Sequence, residues 1–451
     1  MLQKVKERSR QLTSVQLIVL FYLTAIIIAT TLLSLPAAHK PGVEWHFIDG
    51  LFTAVSAISV TGLSVFSVAD TFSVIGVFLL AFVLQIGGIG IMALGTFIWV
   101  ILGKRIGLKE RQLIMTDHNR TTLSGLVNLM LQIFRLILAI EAFGAFVLGT
   151  YFTKYFDTWQ EAYLQGFFAS VSATTNAGFD ITGASLVPFA NDYFVQFIIM
   201  ILIVLGSIGF PVLIELKEFL THSGSEIPYR FSLFTKLTSM TFLVLTVLGV
   251  VVILLLEFSF FFQDKAWHET FFYALFQSIT TKSGGLSTVD VNEFTSATQL
   301  FLSGMMFIGA SPSGVGGGIR TTTFAIVVLT IFFFAKGNSA VKIFGREIHE
   351  ADIMKAFVVT SVAILLCGTS VIILSVTETA SLIAIIFEVS SAFGTTGLSM
   401  GITPTLSAPG KIVIMILMFI GRIGLLSFLF IIRGNTSADK YHYPKERVII
   451  G

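Results

Sequence analysis

Charge is scarce in this chain of 451 residues: Asp, Glu, Lys and Arg make up 12% of it, hydrophobic residues 55%, and the formal net charge is +2. A water-facing globule carries about twice that charged fraction, so a soluble domain is excluded and no nucleic-acid partner is expected. The single cysteine, Cys367, sits in an apolar run and leaves no internal disulfide and no CxxC pair. There is no Walker A loop, no HExxH and no GxSxG elbow. The one match to a dinucleotide pattern, Gly88-Ile89-Gly90-Ile91-Met92-Ala93, lies inside an apolar run, where close helix packing explains it. His39, His46, His118, His222, His268, His349 and His442 are scattered without metal-ligand spacing. An enzyme and a covalent cofactor are therefore not expected.

What the chain has instead is apolar runs, and a hydrocarbon core of about 30 Å takes roughly 20 helical residues to cross. Eight spans are expected: Val15 to Leu35, Phe72 to Leu102, Leu126 to Tyr151, Tyr193 to Phe219, Phe234 to Phe258, Leu300 to Phe334 with an interruption, Ile353 to Val376, and Ile412 to Ile432. Most Lys and Arg fall in the N-terminal tail, three connecting loops and the C-terminal tail, among them Lys4, Arg8, Lys104, Arg105, Arg111, Lys217, Arg230, Lys342, Arg346 and Arg447. The positive-inside rule then puts both termini of this cell-membrane protein in the cytoplasm. The first run follows a basic tail, lacks a small-residue cleavage site and reads as span one.

Four short polar runs recur between these spans, each ending in glycine and a large apolar residue: around Gly62, Gly178, Gly285 and Gly397, at intervals of 116, 107 and 112 residues. Each follows a segment too short to cross: Phe47 to Ile58, Trp159 to Thr174, Trp267 to Thr281 and Leu382 to Phe393. A second repeat follows the first, at Gly87-Gly88-Ile89-Gly90, Gly206-Ser207-Ile208-Gly209 and Gly421-Arg422-Ile423-Gly424; in copy three it opens into a run from Gly309 to Thr323. The expected fold is an all-α integral membrane protein of four pseudo-repeated helix, pore loop, helix units around a central pore. Its parts are a tail 1–13, repeat one 14–103, loop and repeat two 104–220, loop and repeat three 221–335 with a broken second helix, loop and repeat four 336–432, and a tail 433–451.

Irregular backbone at membrane depth is tolerated where it lines a wet cavity, and four converging turns meet that condition. Their carbonyls would replace the water shell of a partly dehydrated cation. The candidate filter is Ser59, Val60, Thr61 and Gly62; Thr175, Asn176, Ala177 and Gly178; Lys282, Ser283, Gly284 and Gly285; and Gly394, Thr395, Thr396 and Gly397. With no carboxylate ring, a large monovalent ion is favoured over Ca²⁺ or Mg²⁺. Gly309, Ser311, Pro312, Ser313, Gly314, Gly316, Gly317 and Gly318 hold a helix poorly and read as a plug under that filter. Lys282 should point sideways, with Glu388 as its candidate partner. Arg422 stands where the other copies carry Gly88, Ser207 and Ala310, and reads as a barrier or a latch to the glycine-rich loop; Arg320 reads as that loop's anchor or as a helix-end cation.

These features together, with the Thr-Lys-Ser-Gly-Gly-Leu third loop, resemble the Trk/Ktr/HKT superfamily of potassium transporters, and most of all the membrane subunit of bacterial Ktr systems, over nearly the whole chain. The resemblance implies K⁺ as the transported ion, with Na⁺ as a modulator, and one filter glycine per loop. Sodium-preferring plant relatives often carry Ser at the first of these, which is Gly62 here. It also implies an intramembrane gate from Gly309 to Thr323 with Arg422 setting the barrier, and a homodimer of pores on a cytoplasmic ring of nucleotide-binding regulatory subunits. The short tails leave nucleotide to that partner, docked on the loops Gly103 to Arg120 and Lys336 to Lys355. The alternative is a sodium- or proton-coupled secondary carrier.

Overall fold

The computed structural model describes residues 14–90, 126–221, 229–338 and 340–433, with isolated positions near the C-terminus. The far half of the second expected span, the loop Gly103 to Arg120, the N-terminal tail and most of the C-terminal one lie outside the described residues.

The regular secondary structure of the described residues is almost entirely helical. Copy one comprises α1 (Ser14–Leu33), α2 (Phe47–Ser59) and α3 (Val74–Ile89). Copy two comprises α4 (Leu126–Phe152), α5 (Trp159–Thr174), α6 (Tyr193–Ser207) and α7 (Phe210–Thr221). Copy three comprises α8 (Leu233–Glu257), α9 (Trp267–Thr280), α10 (Ser296–Ile308) and α11 (Thr321–Ala335), followed by a hairpin of β1 (Lys342–Ile343) and β2 (Arg346–Glu347). Copy four comprises α12 (Glu350–Thr377), α13 (Leu382–Gly394), α14 (Ala408–Ile423) and α15 (Leu425–Arg433).

Among the described residues, only the first helix of each copy (α1, α4, α8 and α12) is long and apolar enough to cross by itself, and α6 with α7 passes only as a pair bent by 104°. The expectation of unbroken second helices outside copy three is therefore corrected. Helix α3 ends at Ile89 before Gly90 (φ +87°), α6 ends before Gly209 (φ +101°), and α14 ends before Gly424 (φ +88°). Glycine takes these left-handed angles without the Cβ penalty, so one residue suffices to stop each helix. The outward faces carry large exposed apolar residues such as Phe78, Phe143, Leu255 and Leu365, as hydrocarbon requires.

Each second helix starts on a hydrogen-bonding cap: Ser73, Asp192, Thr295 and Ser407 accept from backbone N–H groups of the first turn. The same caps clasp the end of the first helix. Glu257 accepts from Thr295 N (2.9 Å) and Oγ1 (2.7 Å), and Glu378 accepts from Ser407 N (3.1 Å) and Oγ (2.5 Å). In copy two the polarity is reversed, with Tyr151 and Tyr155 donating to Asp192. In copy one Ser73 Oγ donates to Ala37 O at 2.7 Å.

The copies are joined cyclically. Each second helix packs on the next copy's short helix, α3 on α5, α6 on α9, α10 on α13, and α14 closes the ring on α2. Lys411 at the start of α14 and Asp49 in the first turn of α2 form an ion pair of 2.7 Å across that closure, both side chains mostly buried. The two sequence repeats meet within each copy. A β-carbon added at Gly87, Gly206 or Gly421 would lie 2.6, 2.2 or 2.1 Å from the carbonyl oxygen of Ile58, Thr174 or Phe393. Each of these carbonyls belongs to the residue four before the turn glycine. Glycine in the second repeat is what lets the second helix touch the end of the short one.

Candidate functional site

The four short helices are α2, α5, α9 and α13, and three of them end in the same capping geometry. Thr61, Ala177 and Thr396 N–H groups reach back five residues to Ser56, Ser172 and Ser391 carbonyls at 2.8 Å, while Val60, Asn176 and Thr395 N–H groups bond three back at 3.2 Å. This is the Schellman pattern, which needs a left-handed residue at the turn. Copy three closes more simply, with Gly284 N donating to Thr280 O at 2.7 Å. The left-handed residues are Val60 (φ +55°), Asn176 (+51°), Ser283 (+68°) and Thr395 (+47°), each two before the turn glycine. For β-branched Val60 and Thr395 this conformation costs about 1–2 kcal/mol apiece, so the surrounding packing must enforce it.

The turn glycines all have positive φ: +93° at Gly62, +68° at Gly178, +73° at Gly285 and +94° at Gly397. They touch in sequence order around a closed ring. A β-carbon on Gly62 would sit 2.4 Å from Ala177 O, on Gly178 2.9 Å from Gly285 Cα, on Gly285 2.4 Å from Thr396 O, and on Gly397 2.2 Å from Thr61 O. Hydroxyls of the short helices brace the loops from behind. Gly62 N and Gly397 N donate to Ser56 Oγ (3.1 Å) and Ser391 Oγ (3.0 Å), and Ser172 Oγ and Thr280 Oγ1 donate to Phe179 O and Leu286 O, both at 2.6 Å.

Among the described residues, no hydrogen bond ends on the carbonyl oxygens of Val60, Thr61, Asn176, Ala177, Ser283, Gly284, Thr395 or Thr396, although all eight residues are buried. Buried carbonyls are normally paired, so eight without a donor around one ring of turns set this region apart. Several of the neighbouring side chains bond elsewhere, while the Thr395 and Thr396 hydroxyls find no partner among the described residues. Ser59 Oγ and Thr61 Oγ1 bond each other (2.7 Å), Thr175 Oγ1 donates to Val171 O (2.6 Å), and Ser283 Oγ donates to Gly394 O in copy four (2.8 Å). With its amide oriented to satisfy both ends, Asn176 donates to Ala173 O and Ile203 O and accepts from Ser207 N, tying loop two to the break in α6.

Directly against this ring lies the break of copy three, which spans 309–320, with α11 already begun at Thr321. Its neck is closed by Ala310 N to Gly317 O (3.2 Å), Arg320 N to Ile308 O (3.0 Å) and Thr321 N to Ala310 O (3.2 Å). Its tip docks on the break of copy two: Ser311 N donates to Ser207 O (3.0 Å), Val315 N to Gly206 O (3.0 Å), and Phe210 N to Ser313 O (3.1 Å). Pro312 O lies 2.7 Å from where Gly209 would carry a β-carbon. β-Carbons on Gly316 and Gly317 would meet Ser283 Oγ at 2.3 Å and Thr395 Cγ2 at 2.7 Å, so the loop is pressed on filter candidates of two copies. Gly314 fits against Ser207 O, and Gly318 (φ +86°) against Ile308 O.

Three charged residues fall differently from expectation. Lys282 is fully buried, but its Nζ has no hydrogen-bond partner among the described residues, and no ion pair joins it to Glu388. Glu388 accepts from Ser399 Oγ (2.8 Å) and Thr403 Oγ1, because the segment after Gly397 folds back over α13 and supplies hydroxyls there. Arg422 does not latch the glycine-rich loop. Its Nη2 donates to Gly87 O and Gly88 O at the end of α3, so it bridges copies four and one. Arg320 donates to Gly316 O within the loop, which is the anchor arrangement.

Sequence reasoning missed the left-handed residues, the docking of the copy-three break on the copy-two break, and the buried clasp at Glu257. Asn176 alone carried a signal for the first, since Asn tolerates that conformation.

Comparison with protein families matches residues 4–441 to TrkH, a family of cation transport proteins. The chain is 61% identical over 440 residues to the Ktr system potassium uptake protein D of Bacillus subtilis (strain 168), covering 98% of each chain. It is 34% identical to the Ktr system potassium uptake protein B of the same organism, covering 96% of this chain and 95% of that one, and 32% identical to the potassium/sodium uptake protein NtpJ of Enterococcus hirae, covering 99% of each. Among solved structures, the potassium transporter TrkH from Vibrio parahaemolyticus superposes with a TM-score of 0.70 at 18% identity, over 91% of this chain and 84% of that one, a likeness of fold. The chain belongs to the TrkH family of cation transport proteins.

Proposed function

We propose that this protein takes up K⁺ across the cell membrane through the ring of four turns, and that the copy-three loop gates the pathway. The observation that carries the reading is the set of eight buried carbonyls without donors around Gly62, Gly178, Gly285 and Gly397. A dehydrated monovalent cation supplies the missing positive partner, and rigid bracing of each loop from behind holds the cage open for it. The names of the relatives, two potassium uptake proteins and one potassium/sodium uptake protein, favour K⁺ as the cargo, with Na⁺ as a modulating or competing ion. The protein has no enzymatic role in this reading.

The gate reading rests on the loop's contacts. Releasing it from α6 and α7 breaks three backbone hydrogen bonds, each worth about 0.5–1.5 kcal/mol net. The total, about 1.5–4.5 kcal/mol, overlaps the coupling energy of about 1–3 kcal/mol that a regulatory partner typically delivers. The term "Ktr system" in the relatives' names supports an assembly of more than one component. We assign to it a homodimer of this chain and a cytoplasmic nucleotide-binding ring, with both termini of this chain on the same side as that ring.

Rubidium and sodium flux into liposomes carrying the purified protein tests the reading. A gated pore passes rubidium down its electrochemical gradient with no fixed stoichiometry. Accumulation of rubidium against its gradient on supplying sodium, or no rubidium entry with or without the regulator, overturns it in favour of a coupled carrier or a non-transport role.

A further inference from the structure

On the basic face, away from the ring of glycines, three cations border one polar cavity of about 390 Å³: Arg230 before α8, Lys236 in its first turns, and Arg346 on β2. Phe231, Leu233, Phe344 and Gly345 complete the wall. All three cations are exposed, and none is in an ion pair among the described residues. The nearest carboxylates of α7 are engaged by other groups, Glu215 by Ser232 N (3.0 Å) and Glu218 by Tyr229 Oη (3.2 Å). The start of the 25-residue α8 adds its positive dipole end to the same place.

The helix continues from this cavity in one direction only. Lys236, Met240, Leu243 and Val247 follow at steps of four, three and four residues and so share a face of α8, and the three apolar ones are each more than half exposed. A cation cluster thus caps a lipid-facing apolar stripe. We propose that this cavity binds the phosphate of an anionic phospholipid, with Arg230, Lys236 and Arg346 on the headgroup and the acyl chain along Met240, Leu243 and Val247. Basic pockets at the ends of membrane helices recognise such headgroups, and a free phosphate or an acidic protein surface has no use for the apolar stripe. The lipid would tie the start of α8 to the hairpin that joins α11, which follows the copy-three break, to α12. The inference rests on the membrane placement of α8 and not on the filter reading.

The test is native mass spectrometry of the full chain in neutral detergent, titrated with dioleoylphosphatidylglycerol, dioleoylphosphatidylcholine or inorganic phosphate. The expected result is one saturable phosphatidylglycerol adduct and no saturable phosphatidylcholine adduct. Arg230→Gln, Lys236→Gln and Arg346→Gln should each weaken the adduct about fivefold and together abolish it, while Arg346→Lys retains it. Lys154→Gln with Lys265→Gln, remote from the cavity, should leave it unchanged, and unchanged thermal unfolding without lipid confirms that the variants are folded. Undiminished phosphatidylglycerol binding by the triple variant overturns the proposal. So does displacement by inorganic phosphate at equal concentration, or a triple variant that loses a cytoplasmic protein partner while keeping the lipid.

Discussion

Replacing Gly62 by Ser puts the filter reading under its most quantitative strain. The new β-carbon would lie 2.4 Å from Ala177 O and 2.9 Å from Gly178 Cα, both backbone atoms of the adjoining loop. Ordinary contact needs about 3.5 Å, so the loops must part by roughly 1 Å. The φ of +93° adds about 1–2 kcal/mol for any residue with a side chain, and the overlap about 1–3 kcal/mol more. The combined strain of about 2–5 kcal/mol exceeds the 1.4 kcal/mol that corresponds to a tenfold change in an equilibrium constant. Its relief is movement of the carbonyls of Thr61 and Ala177, which the reading places on the ion. The ratio of rubidium to sodium flux in liposomes should therefore fall at least about tenfold. Gly304→Ala is the matched control, since a β-carbon there meets nothing within 4 Å. An unchanged ratio in folded Gly62→Ser protein would refute the assignment of this ring.

Other consequences can be checked separately. Arg422→Ala removes the bonds to Gly87 O and Gly88 O that join copies four and one, and should raise rubidium flux in the absence of a regulator; equal or abolished flux with an intact fold counts against a barrier role. Gly206→Ala places a β-carbon 2.2 Å from Thr174 O and should lower the unfolding midpoint by about a few degrees, whereas Gly368→Ala, with open space around it, should not. At Glu378, burial pushes the carboxyl up, but hydrogen bonds from Ser407 Oγ, Ser407 N and Thr377 outweigh it and leave the group below its ordinary value. A depressed carboxyl stabilises the fold above its unfolded pKa of about 4, and that stability is lost as pH falls through the folded value. Thermal unfolding of Glu378→Gln should accordingly lose less stability than wild type on going from neutral pH to below about 4; parallel curves would show that the clasp with Ser407 carries no pH-dependent stability.

The short helices were legible in the sequence because each is bounded by chemistry. The segment expected from Phe47 to Ile58 runs to Ser59, and that from Trp267 to Thr281 stops at Thr280. Each ends where hydroxyl-bearing residues and a glycine replace apolar ones. The breaks at Gly209 and Gly424 were passed over although Gly206, Ser207 and Pro211 flank the first and Gly421 and Arg422 the second, because a glycine costs a helix only about 1 kcal/mol and the runs on either side are apolar enough to read as one span. Tertiary contact decides there: Gly209 turns where the copy-three loop needs Ser207 O and Phe210 N. The left-handed Val60 and Thr395 run against their own propensity and are set by the ring closing around them. The pairing expected of Lys282 with Glu388 and the latch offered for Arg422 failed for a related reason. A long side chain can reach several partners, and only the packed arrangement shows that hydroxyls cover Glu388 and that α3 carbonyls receive Arg422.

The central claim is that peptide oxygens of four unlike loops hold one alkali cation, and anomalous scattering from crystals soaked in rubidium addresses it most directly. The account predicts a rubidium peak inside the ring, within coordination distance of the Thr61, Ala177, Gly284 and Thr396 carbonyl oxygens, that disappears when sodium replaces rubidium. A ring with no peak, or one whose only rubidium lies elsewhere in the protein, would contradict it.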